Sequence, residues 1–350
     1  MPELSEVEAL RCVCQRRLVG RTITAVRSAA GTHGGVFNAR VFAAAKESMD
    51  EALLASSLMG RRVVAALRHG KILHLKLDGD TSVLVGLGMT GMLLVRGEAK
   101  PPYQQKVADD VAQWLGAGGA AVPLPKHTHL ELDLEGLKVA YVDSRTFGSI
   151  RVRRNGTVSA VPPLSLLAPD AFLALPTSAV LLERLARSPG KTLKTALLDQ
   201  EAAVSGVGNW IADEVCYQAR LHPASLCGNL TVAHAAALRG ALRSVLDTAC
   251  AANAVPRRLD IPRPDGQPGG QEDGAQGRRR GRDELVPKVR VGTLHGGRAR
   301  QAEAGEKNDD SDSGEQRFAE RQKGKGQGRP LPGDAQDHGE AGAEEQVTTT

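Results

Sequence analysis

Leu198-Asp199-Gln200, then Gly206-Val207-Gly208-Asn209-Trp210-Ile211-Ala212-Asp213-Glu214-Val215, then Tyr217-Gln218-Ala219-Arg220-Leu221-His222-Pro223, is the stretch on which the fold turns. It predicts a glycine turn opening into a helix over 210–219. Glycine lets backbone approach a ligand closely, and a helix N-terminus offers free N–H groups to an anion, so this turn suits a phosphate. For Asn209, a plain N-cap is the competing reading. Outward from the turn, helical sequence covers 178–187, 192–198 and an Ala/Leu-rich segment with an apolar stripe over 231–252.

Upstream the pattern changes. Residues 156–176, rich in Pro and Ser, read as an interdomain linker. Before them come short β-rich runs at 23–26, 62–67, 72–77, 82–87, 92–95, 129–134, 137–142 and 149–152, separated by turns such as Arg68-His69-Gly70, Asp78-Gly79-Asp80 and Glu135-Gly136. Such runs predict a two-sheet antiparallel sandwich, with 31–51 and 101–126 as insertions. Over 6–19, Val7, Leu10, Cys14 and Leu18 recur at helical spacing, acids first and Arg11, Arg16 and Arg17 later. This helix presents Pro2 at its tip.

At 350 residues the chain has length for two domains with cores. The expected organisation is α+β: a sandwich domain (1–155) flanked by the N-terminal helix, the linker, a helical domain (177–255), and a tail (256–350). Residues 1–250 carry 28 Lys+Arg against 22 Asp+Glu, 251–300 carry 11 against 6, and 301–350 carry 6 against 12. A basic body and arm suit a polyanionic partner. The last hundred residues hold one aromatic, Phe318, so the tail is expected to be disordered; a misjoined reading frame after residue 255 would have the same composition. Cys12, Cys14, Cys216, Cys227 and Cys250 are odd in number and show no Cys-x-x-Cys pair, which predicts reduced thiols and no four-cysteine zinc site. The acidic N-terminus is unlike a signal peptide, and the apolar stretch 161–185 is interrupted by four prolines, Asp170 and Glu183, so a soluble intracellular protein without a membrane span is expected.

Pro2 carries the chemistry. Removal of Met1 would expose a secondary amine, and an α-amino group titrates at about 7.7–8.0, so it can serve as a nucleophile near neutral pH and form an iminium. Glu3 is next to it as acid or base. The alternative is that Pro2 is a good first helical residue and that Glu3, Glu6 and Glu8 only offset the helix dipole.

Pro2-Glu3-Leu4-Ser5-Glu6-Val7-Glu8 resembles the opening of the formamidopyrimidine-DNA glycosylase / endonuclease VIII family. Four further segments resemble that family in order: His69-Gly70-Lys71, Leu87-Gly88-Met89-Thr90-Gly91-Met92, Asp143-Ser144-Arg145-Thr146-Phe147-Gly148, and the opening stretch, which resembles the helix-two-turn-helix of the plant and algal branch. The resemblance covers about the first 255 residues. It implies a bifunctional glycosylase/AP lyase of base-excision repair, a nuclear monomer acting on damaged double-stranded DNA without cofactor or metal, organellar import remaining open. Oxidised or ring-opened purines are the implied lesions; oxidised pyrimidines, or binding without catalysis, are the alternatives.

By the same resemblance, the Pro2 nitrogen attacks the sugar C1′ and Glu3 protonates the ring oxygen. Lys71 contacts the phosphates flanking the lesion, Met89 and Phe147 fill the space left by the flipped base, and Arg145 reads the orphaned partner base. Asn209 and Lys194 face the same cleft. Many members end in a zinc finger, which the plant branch replaces with a metal-free hairpin ending Gly-Gly-Arg. Here Gly296-Gly297-Arg298, in a degenerate match near 286–300, lacks the expected aromatics, and Ser5 replaces the usual proline.

Overall fold

The computed structural model describes residues 2–28, 39–42, 50–101, 104, 106–118 and 121–253. Arg298 and the tail from 256 onward lie outside the described residues. The first helix, α1 (Leu4–Arg17), starts and ends two residues before its apolar spacing predicts. Glu6 explains the early start: its carboxylate accepts the Glu3 N–H at 3.1 Å and closes the first turn at Leu4.

The eight expected strands are all present, within two residues of their predicted limits. One antiparallel sheet runs in the order β1 (Ala25–Ser28), β6 (Thr128–Leu134), β7 (Leu137–Val142), β5 (Met92–Val95). The other runs β2 (Val63–His69), β3 (Ile72–Leu77), β4 (Thr81–Gly86), β8 (Ser149–Arg154). Alternate residues, among them Leu73, Leu75, Val83, Val85, Val139, Tyr141 and Ile150, face inward and form one core with Val7, Leu10 and Cys14 of α1. Register matters for the site. Ile72 pairs with Gly86 and Gly86 with Ser149, so the turn at 69–71, the loop at 87–91 and the loop at 143–148 leave the same end of one sheet.

Described residues of both insertions pack on the sandwich. The first holds the short helix α2 (Ala39–Phe42), with Val41 and Phe42 buried in the sandwich core, and leads into α3 (Glu51–Leu58). The second holds α4 (Asp109–Gly116), whose Trp114 is fully buried against Leu94, Ala140 and Val142. Those three residues point outward from the first sheet, and an apolar outer face needs a cover.

Beyond the sandwich, α5 (Ser178–Ala186), α6 (Leu193–Leu198), α7 (Asn209–Gln218) and α8 (Val232–Ala251) share a second core. Thr177, Thr192 and Thr231 cap α5, α6 and α8 through their side chains. Gln200 laces the two turns between α6 and α7, donating to the Leu198 and Val207 carbonyls at 2.8 and 3.0 Å and accepting the Gly206 N–H at 2.8 Å. Leu4 is buried in this second core while Val7 and Leu10 are buried in the first, so α1 belongs to both. All five cysteines are unpaired; burial pushes the Cys14 and Cys250 thiols up to about 12.

Candidate active site and nucleic-acid interface

Gly206 and Gly208 make room for the tip of α1. Gly206 has φ +103°, and a Cβ there would meet the Leu4 side chain; a Cβ on Gly208 would lie 2.2 Å from the Glu3 carboxyl carbon. Through this gap Glu3 reaches the start of α7, its Oε1 accepting the Trp210 N–H at 3.0 Å and its Oε2 the Ile211 N–H at 3.2 Å. Leu4 N donates to the Gly206 carbonyl at 3.1 Å. The turn therefore holds an anion, as its sequence suggests, but that anion is the protein's own Glu3 carboxylate rather than a phosphate. Gly208 is the N-cap and Asn209 the first helical residue, which removes the N-cap reading of Asn209 and leaves its side chain exposed.

Burial raises the Glu3 carboxyl above its ordinary range, and the nearby Glu6 adds to this; the two backbone N–H groups and Lys71 oppose it without cancelling it. Lys71 is the complement. Burial lowers its ammonium below the ordinary lysine value, against the attraction of Glu3 and Glu6. Pro2, preceding Glu3, is buried in the same place. The structure thus brings Pro2, Glu3 and Lys71 together.

Lys71 is held from behind. Gly70 has φ +56°, which favours glycine, and backs onto Ser205. Its N–H donates to Asp170 Oδ2 at 2.7 Å, its carbonyl accepts from Arg68 Nη1 at 2.9 Å, and the His69 ring nitrogen bonds the Ala168 carbonyl at 2.9 Å. Arg68 itself is buried between Asp170, at 2.5 Å, and Glu8, at 3.0 Å. Burial would raise both carboxyls, yet their hydrogen bonds to arginine, Arg68 for Asp170 and Arg11 with Arg68 for Glu8, hold both below the ordinary range. Ala168 and Asp170 come from the linker, so this part of 156–176 is docked on the sandwich.

The other two loops form one platform. Buried Asp143 accepts the Thr90 hydroxyl at 2.6 Å, the Arg145 N–H at 3.2 Å and the Gly148 N–H at 2.8 Å. From this support Met89 and Phe147 project with 45% and 57% exposure, at odds with their apolar character. Arg145 lies over the Phe147 ring, its guanidinium carbon 4.7 Å from the centroid. On the helical part, Lys194 of α6 is joined to Asp213 at 2.5 Å, one turn along α7 from Asn209. Among the described residues no group of three His, Cys, Asp or Glu side chains could hold a metal ion.

Sequence reasoning missed the contributions of Trp210, Glu6, Asp143 and the Glu8–Arg68–Asp170 chain. Acidic residues in a first turn read as dipole compensation, and no local pattern marks a carboxylate that will be buried across a domain boundary.

The arrangement combines a buried carboxyl of raised proton affinity, a half-buried lysine and exposed apolar side chains. Residues 1–150 match the family model of the formamidopyrimidine-DNA glycosylase N-terminal domain, and 167–258 that of its H2TH domain. The chain is similar to proteins named formamidopyrimidine-DNA glycosylase. Identity with that of Arabidopsis thaliana is 32% over 253 residues, covering 71% of this chain and 58% of the plant protein. With that of Acidothermus cellulolyticus it is 35%, covering 71% and 76%, and with that of Paracoccus denitrificans 33%, covering 72% and 79%. Its fold is similar to that of wild-type Lactococcus lactis Fpg in complex with DNA containing N7-benzyl-Fapy-dG, with a TM-score of 0.59, 21% identity, and coverage of 74% of this chain and 87% of that one. A complex of the same bacterial protein with a THF-DNA and an inhibitor gives the same TM-score and coverage. No helix among the described residues is long and apolar enough to cross a membrane. Matched in both parts of its described length, the chain belongs to the formamidopyrimidine-DNA glycosylase family.

Proposed function

We propose that the protein is a bifunctional DNA glycosylase/AP lyase of base-excision repair that removes oxidised or ring-opened purines, 8-oxoguanine and formamidopyrimidines among them, from duplex DNA. The observation that carries this reading is the Glu3 carboxyl, buried and with raised proton affinity, beside Pro2 and Lys71 at the sheet end from which Met89 and Phe147 project.

Once Met1 is removed, the Pro2 lone pair forms a bond to C1′ of the flipped nucleotide as the C1′–base bond breaks and its electron pair leaves with the base. The proton on nitrogen passes to a base. Glu3, whose raised proton affinity suits it to take up that proton, gives a proton to the ring oxygen, the C1′–O4′ bond opens, and an iminium remains. The iminium acidifies C2′. Loss of a C2′ proton expels the 3′ phosphate, a second elimination expels the 5′ phosphate, and water hydrolyses the imine to free the amine. Lys71 positions the flanking phosphates, and Arg145, Phe147 and Met89 hold the space the nucleotide leaves. Lys194 and Asn209 line the opposite wall, where a phosphate competes with Asp213 for the lysine.

Borohydride trapping on duplexes carrying 8-oxoguanine, a formamidopyrimidine, thymine glycol or an abasic site tests this at stated salt. Adducts mapping to Pro2 on the purine lesions and the abasic site are expected. Adducts on thymine glycol in preference to the purines would move the enzyme to pyrimidine lesions, and binding without any adduct would make it a non-catalytic module.

A further inference from the structure

Trp210 makes two bonds to the tip of α1, one from each of its N–H groups. Its main-chain N–H donates to Glu3 Oε1 at 3.0 Å, and its indole Nε1–H donates to Glu6 Oε1 at 3.2 Å. The other Glu6 oxygen accepts the Glu3 N–H at 3.1 Å and the Ser5 hydroxyl at 2.9 Å. The Glu3 N–H belongs to the peptide that joins Glu3 to Pro2. A continuous chain thus runs from the α7 indole, through one buried carboxylate, to the backbone that carries the amine.

We propose that Trp210 is a positioning residue for the N-terminal nucleophile: its indole fixes the Glu6 carboxylate, and Glu6 fixes the Pro2–Glu3 peptide against α7. The inference rests on Pro2 being the nucleophile. It follows from geometry: Glu6 is the acceptor of the Glu3 N–H, and a Glu6 carboxylate held by α1 alone could rotate and release it. The indole supplies the second hold. It is also a device that places the amine only when α7 is docked, since donor and acceptor lie on different helices 204 residues apart.

Trp210→Phe keeps an aromatic ring and removes the donor. Its single-turnover excision and its borohydride trapping on an 8-oxoguanine duplex are expected to slow by about ten- to a hundredfold. Binding to a duplex with an abasic analogue should stay within about twofold, since the DNA-facing loops are untouched. The pH profile supplies a readout that loss of packing would not move. The groups facing Glu3 are Glu6 on α1, Lys71 on the β2–β3 turn, the N–H groups of α7 and the mature Pro2 amine. A Glu6 charge relieved of its indole donor acts more strongly on Glu3, so the limb of the profile set by Glu3 should move to higher pH.

Glu6→Gln should produce the same slow trapping, and the double variant should be no slower than the slower single one. Wild-type excision and an unmoved profile in Trp210→Phe would overturn the proposal, as would rate losses that multiply in the double variant. If Trp210→Phe does not fold, Glu6→Gln decides: trapping at the wild-type rate refutes the chain. Should wild-type protein form no Pro2 adduct on any lesion, the nucleophile assignment has failed; a Pro2 adduct that forms equally fast in Trp210→Phe overturns the indole's part alone.

Discussion

Gly208 has φ −123° and ψ −164°, extended backbone open to any residue, so its need for glycine comes from a neighbour and not from its own conformation. That neighbour is Glu3, 2.2 Å from where a Cβ would stand. Gly208→Ala is expected to displace Glu3, slow excision by about tenfold or more, and cost about 1–3 kcal/mol of stability. In a Glu3→Ala background the stability cost should vanish, which a double-mutant cycle by urea unfolding measures; an equal cost in both backgrounds would sink the account. Glu3→Gln keeps the shape of the side chain and removes its proton. Excision should be lost while binding to an abasic-analogue duplex persists, and excision at the wild-type rate would reduce Glu3 to a helix-terminal charge.

Elements act here through their ends. Strand register sets three loops at one end of a sheet, and Asp143 joins two of them, so the proposed wedge residues Met89 and Phe147 project from one hydrogen-bonded support. Because both are exposed, Met89→Ala and Phe147→Ala should change folding stability by less than about 0.5 kcal/mol. Their double variant should nonetheless lose excision from duplex DNA by about a hundredfold while retaining most cleavage of an abasic site in a single strand, where no stack must be refilled. Equal losses on both substrates would remove the wedge assignment.

At the scale of the molecule, α1 and the Glu8–Arg68–Asp170 chain tie the sandwich to the helical unit. Arg68→Met would leave two buried carboxylates without their shared cation, at a cost of about 3–5 kcal/mol in urea unfolding. The pH dependence follows from sign. Glu8 and Asp170 are depressed in the fold, so their contribution is present above the ordinary carboxylate value and is lost as pH falls through their folded values. Glu3 is raised, so its contribution is present at low pH and lost as pH climbs through its folded value. Wild-type stability should therefore fall on acidification below about pH 4, with a flatter acid limb in Arg68→Met. Charge along the chain leads to a further expectation: truncation after 300 removes a net −6 and should tighten duplex binding, whereas truncation after 255 also removes the basic arm and should flatten its salt dependence. Equal salt slopes would mean that the arm never meets DNA.

What the sequence by itself determined was everything carried by short-range pattern. Alternating apolar runs specified the strands, the Val7–Leu10–Cys14–Leu18 spacing specified a helix with Pro2 at its tip, and the paired glycines marked a close approach at the start of α7. What only the tertiary structure decided was who makes that approach. Glu3 and Trp210 are 207 residues apart, and a free helix N-terminus serves a phosphate or a carboxylate equally well until packing brings one of them in. The same holds for the insertion that places Trp114 over the first sheet, and for the Arg68–Asp170 pair 102 residues apart. Burial and charge pairing depend on which surfaces face each other, and that is fixed by two cores packing around α1 rather than by any local run of residues.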